Sequence, residues 1–130
     1  MVTSDPNPAK RWQQIVDFYA DFAAMKDWEF LAPMIGLAEW AAAQPMAATL
    51  YPGTSHEWLT VSLHPGYEPE LPFFAAGARG DGQFQCELFR AVGRQLHSWV
   101  GPLEQARRMF TEFVGRLGAV TTEGSEQGPV

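Results

Sequence analysis

A chain of 130 residues with 46% hydrophobic and 18% charged residues suits one globular domain, which at this size buries about two-thirds of its unfolded surface without staples. The formal charge of −6 is uneven: residues 1–78 hold three Lys or Arg against nine Asp or Glu, and residues 79–116 hold six Arg against four acids. An acidic front half argues against nucleic acid, which demands a basic footprint, and a single cysteine, Cys86, rules out an internal disulfide.

Met1–Pro8 has neither a basic stretch nor an apolar stretch of the kind a secretory signal carries, so a cytoplasmic location is expected. The longest uncharged run, Trp40 to His56, contains Pro45, Pro52 and Gly53 and cannot span a bilayer. No membrane association is expected.

Asn7-Pro8 predicts a helix start, with an Asx cap followed by proline at the first helical position. Trp12, Ile15, Val16, Tyr19, Phe22 and Ala23 then recur at helical spacing, ending near Met25. A second helix is predicted between Asp27 and Ala43, with Pro33 at its start or at a kink. The short link at Lys26-Asp27 makes the two an antiparallel pair.

Ala47–Tyr51 is a short strand candidate, and Pro52-Gly53-Thr54-Ser55 reads as a turn. From His56 to His64 the residues alternate: Leu59, Val61 and Leu63 share one parity, and His56, Trp58, Thr60, Ser62 and His64 the other. That is a strand with an aliphatic face and a polar-aromatic face. Three prolines and a glycine make residues 64–72 a loop, and Phe73–Ala78 is a third strand. Arg79-Gly80-Asp81-Gly82 reads as a hairpin turn before Gln83–Ala91, the fourth strand. Phe84, Leu88, Val92, Leu96, Trp99 and Leu103 also repeat at helical spacing, so the competing reading makes residues 84–100 a helix. Gly93 and the preceding turn favour the strand, which leaves Arg94–Val100 as an irregular connection. Gly101-Pro102 opens a closing amphipathic helix, with Leu103, Ala106, Met109, Phe110, Phe113, Val114 and Leu117 on one stripe and Gly118 as its C-terminal cap.

The predicted fold is therefore α+β: two N-terminal helices, an antiparallel meander of about four strands, and one C-terminal helix packed on the sheet. The alternative is a mainly α fold with one β-hairpin. One domain spans residues 8–119, between a flexible segment at 1–7 and a disordered acidic tail at 120–130.

Catalytic signals are weak. His56 and His64 lie eight residues apart on one strand, roughly 26 Å at about 3.3 Å per residue, too far to share a metal. Cys86 falls on the apolar parity with Phe84 and Leu88, where a thiol stays protonated and inert. No nucleophile elbow, phosphate loop or His-Glu-x-x-His pattern is present. No cofactor or metal is implied. What the sequence offers instead is a surface: His56, Trp58 and Thr60, beside Gln85, Glu87 and Phe89, form a polar-aromatic patch of interface-like composition. The expected function is a non-enzymatic interaction or adaptor module that takes a protein partner or a second copy of itself. The competing expectation is a ligand-binding or enzymatic domain with a pocket between the sheet and the 64–72 loop, using His56, Trp58, Glu87 and His64. Cover of Trp58 by the Arg94–Val100 segment, through Trp99, would leave no exposed patch.

Overall fold

A computed structural model of the chain describes residues 5–66 and 68–123. Helices α1 (Pro8–Ala23) and α2 (Ala32–Ala42) come first, then strands β1 (Tyr51–Ser55), β2 (Trp58–Ser62), β3 (Phe73–Ala78), β4 (Gln83–Ala91) and β5 (Arg94–Pro102), and last helix α3 (Ala106–Glu123). Short 3-10 helices at Glu29–Leu31, Pro45–Thr49 and Leu103–Gln105 lead into α2, β1 and α3. The strands form one antiparallel meander in the order β1-β2-β3-β4-β5. The fold is α+β, with five strands rather than about four.

Helix α1 starts as the sequence dictates: the Asn7 side chain accepts a hydrogen bond from the Ala9 N–H at 3.0 Å, and Pro8 occupies the first turn. It ends before Asp27, whose positive φ of 74° reverses the chain. An aspartate tolerates this left-handed conformation better than most side chains. The one face of the sheet formed by Leu59, Val61, Phe74, Ala76, Ala78, Phe84, Cys86 and Leu88 is buried. All three helices pack there, with Trp12, Ile15 and Tyr19 from α1, Met34, Leu37 and Ala41 from α2, and Met109, Phe110, Phe113 and Leu117 from α3. Phe110 sits at the junction of the layers, with its ring centroid 6.2 Å from Trp12, 6.1 Å from Trp40 and 5.3 Å from Phe74.

Several expectations are corrected. Ala47–Thr49 belongs to a 3-10 turn, and the residues read as a turn, Pro52-Gly53-Thr54-Ser55, are strand β1. Proline is accepted there because β1 is an edge strand, where a missing N–H removes no ladder bond on the outer side. The helical alternative for residues 84–100 is excluded by β4 and β5, and Arg94–Val100 is a strand rather than an irregular connection. A two-residue turn, Val92-Gly93, joins the two, with Gly93 at φ 81°. Gly118 does not cap α3, which runs through it to Glu123, because the buried stripe continues past it to Val120. Residues 1–4 and 124–130 of the two expected terminal segments lie outside the described residues.

The β1 edge is closed. The Arg11 guanidinium reaches round it, donating from Nε to the Pro52 carbonyl at 3.0 Å and from one terminal nitrogen to the carbonyls of Asp5 and Pro65. Its carbon also lies 5.5 Å from the centre of the Tyr51 ring. Burial lowers its pKa, opposed by the charges of Asp5 and Tyr51.

Candidate functional site: the open face of the sheet

Antiparallel pairing sets directly opposite residues on the same face, so the strand register lays out the face on which none of the described helices packs. One row runs Tyr51, Ser62, Phe73, Phe89 and Gln95; the next Gly53, Thr60, Ala75, Glu87 and Ser98. A third holds Ser55 and Trp58, then Gly77, Gln85 and Val100. Antiparallel sheets commonly leave one face in this state.

The side chains give this face relief. Phe73 and Phe89 stack at a centroid distance of 4.8 Å with their planes 10° apart. Two rows away, the Trp58 indole lies over Gly77 so closely that a Cβ there would come within 2.8 Å of Cε3. Between these aromatic walls the row is low, because Ala75 stands at its centre. Thr60 and Glu87 flank Ala75 on the neighbouring strands, about 10 Å apart across two strand spacings. The result is a shallow notch with an apolar floor, aromatic ends, a hydroxyl on one side and a carboxylate on the other.

Its polar margin is already ordered. Gln85 Nε2 donates to Glu87 Oε2, and Arg79 donates to Gln85 Oε1 at 3.3 Å while pairing with Asp81 at 3.0 Å. The Arg79-Gly80-Asp81 turn thus orients Gln85 and, through it, Glu87 along β4.

Five of the six residues singled out from the sequence, Trp58, Thr60, Gln85, Glu87 and Phe89, share this face. His56 does not. It occupies the two-residue β1–β2 turn with φ 57°, exposed and outside β2. That turn is held from below, where the Tyr19 hydroxyl donates to the Glu57 carbonyl at 2.8 Å. Burial, followed by the Glu57 charge, raises the Tyr19 pKa. Strands β2 and β4 are separated by β3, so Trp58 meets Gly77 rather than Glu87. Trp99 pairs with Cys86 on the helix-covered side, so β5 does not cover Trp58. Sequence reasoning missed Phe73, Ala75 and Gly77. Phe73 shares its parity with those two small residues, and this pattern marks the floor of the notch.

The residues of the competing pocket do not converge. His64 follows the far end of β2 from His56, where the Ser62 hydroxyl donates to the His64 carbonyl at 2.8 Å. The proline-rich loop is tied to the end of the sheet, with the Pro69 carbonyl accepting from the Val92 N–H at 2.9 Å. Two concavities lie elsewhere: one between α2, Phe84 and the start of α3, lined by Leu37, Leu103 and Arg107, and one along α1, lined by Phe18, Phe22 and Met25. Among the described residues no three His, Cys, Asp or Glu side chains are grouped to hold a metal ion. Cys86 is buried in the core, and burial pushes its thiol up to about 12. None of the helices among the described residues is long and apolar enough to cross a membrane.

Comparison with known proteins adds no relative: no family model, no curated protein and no solved structure matches the chain.

Proposed function

We propose that this chain is a non-enzymatic interaction module that docks a protein partner on the open face of its sheet, working in the cytoplasm and without nucleic acid. The observation that carries this reading is the placement of the small residue Ala75 between the Phe73–Phe89 stack and the Trp58 indole laid over Gly77, which makes the notch. Protein interfaces place their energetic centres in such aromatic-walled depressions, with polar groups at the rim. The partner's anchor would be one apolar side chain seated on Ala75, with a hydrogen-bond donor directed at Glu87 and a further polar contact at Thr60. The acidic front half favours a partner of opposite charge, through encounter rate more than final affinity.

The test compares capture by the wild type with capture by Trp58→Ala and Phe89→Ala, using Arg116→Ala on α3 as a control away from the face. Capture from the native lysate at low and high salt, read by mass spectrometry, should yield a partner lost in both face variants and kept in the control. Capture that ignores both face substitutions, in variants with unchanged circular dichroism, would overturn the reading.

A further inference from the structure

The two edges of the sheet are treated differently. The β1 edge is short, contains Pro52 and is clasped by Arg11. The β5 edge is nine residues long and, among the described residues, pairs with β4 alone, so its outer N–H and C=O groups face away from the rest of the sheet. Every residue from Arg94 to Ser98 is exposed, and so is Val100. Large hydrophobic residues exposed among the described residues are Met25, Val92 at 51%, Leu96 at 40% and Val100 at 41%, so all but one belong to β5 or the turn that feeds it. Residues 95–101 carry no formal charge. The one charge and the one proline of β5, Arg94 and Pro102, stand at its two ends, and the stretch between them has neither guard, which makes it a template for another strand.

The sequence of β5 complements itself. About a twofold axis through Ser98, the centre of Arg94–Pro102, antiparallel pairing sets Leu96 opposite Val100 of a second copy and His97 opposite Trp99. Beyond these pairs the register shifts at Phe89 interrupt the alternation, and the strand ends that approach each other are Arg94 of one copy and Pro102, two residues from Glu104, of the other. The register shift between Leu88 and Phe89 sets Gln95 opposite Phe89 and leaves Leu96 as the extra residue, on the open side with Ser98 and Val100. The apolar pair Leu96–Val100 therefore forms on one face of the joined sheet, twice by symmetry, and His97–Trp99 on the other. No like charges meet, and the one formal charge within β5, Arg94, is brought near an opposite one.

We infer that β5 is the docking edge for a second copy of this chain, giving a twofold dimer with a continuous ten-stranded sheet. This interface does not use the notch over Ala75, so Trp58→Ala should leave association unchanged. That separates the fate of this inference from that of the proposed partner site.

Sedimentation equilibrium of the purified chain across the micromolar range is the test, with two substitutions at the axis. Wild type should associate to a dimer. Ser98→Lys, which sets two ammonium groups against each other, should abolish the dimer while leaving the thermal melt of the domain in place. Ser98→Cys should form a chain-to-chain disulfide under mild oxidation, well above the yield of Thr111→Cys on the outer side of α3. A strictly monomeric wild type, or a dimer that survives Ser98→Lys, would overturn the inference. Should Ser98→Lys fail to fold, a Ser98→Cys yield no higher than that of Thr111→Cys overturns it as well.

Discussion

The indole of Trp58 occupies the space that a side chain at position 77 would need, with Cε3 only 2.8 Å from where a Cβ on Gly77 would stand. The tryptophan is thereby laid along the sheet and forms one end of the notch. Gly77→Ala should force the ring away and destabilise the domain by about 1–3 kcal/mol, as overpacking does. In a Trp58→Ala background the same substitution should cost little, since the obstruction is gone. Urea unfolding of the four variants in this cycle should show a coupling of about 0.5–3 kcal/mol. Strictly additive midpoints would mean that the contact constrains neither residue.

Arg11 is 7% exposed and donates to three backbone carbonyls that belong to the N-terminal segment, β1 and the loop after β2. Arg11→Met keeps much of the stem but strands those carbonyls, so a loss of about 2–4 kcal/mol is expected. Arg11→Lys should recover only part of it, because one ammonium cannot copy the planar fork. Denaturant midpoints, with hydrogen exchange at Ser55 and Thr60 as a local readout, check both.

Cys86 makes stability depend on pH in the alkaline range. Its folded pKa of about 12 lies above the ordinary value of 9.0, so between these the unfolded chain has released a proton that the folded chain retains. The unfolded state binds fewer protons there, and stability falls as pH rises, by at most about 1.4 kcal/mol per pH unit for this group. Tyr19, raised above its usual 10.0, adds to the same trend at higher pH. Denaturant titrations from pH 8 to 11 should show a shallower decline for Cys86→Ala than for wild type. A thiol reagent should label the native protein only as fast as it opens.

Phe73 and Phe89 stack in adjacent strands on the side without helices. Their interaction should appear in a double-mutant cycle as about 0.5–1.5 kcal/mol, with each single alanine variant still folded. Loss of the whole fold in either single variant would show that the open face holds the domain together rather than presenting a surface.

The order of elements and the aliphatic parity of β2 and β4 were legible because they are local: alternation and caps are written within a few residues of each other. Trp58, Thr60, Gln85, Glu87 and Phe89 share one face for the same reason, since parity alone decides it. The notch was not legible, because it depends on the register of β3 between β2 and β4. Gly77 has meaning only once Trp58 is placed over it. Strand β1 was obscured by Pro52 and Gly53, turn formers tolerated at an edge that Arg11 closes. Strand β5 was obscured because it has no buried stripe to read: most of its residues are exposed on both sides.

The position of Phe110 makes the domain an all-or-none object. Its ring meets Trp12 from the first helix, Trp40 from the second and Phe74 from the middle of the sheet, yet it belongs to the last element of the chain. The meander can pair strand by strand through sequence neighbours, but nothing before Ala106 supplies the ring at which its layers meet. A chain interrupted ahead of α3 would hold an aromatic core with its centre missing, so the native state should be reached in one cooperative step that waits on the C-terminal helix.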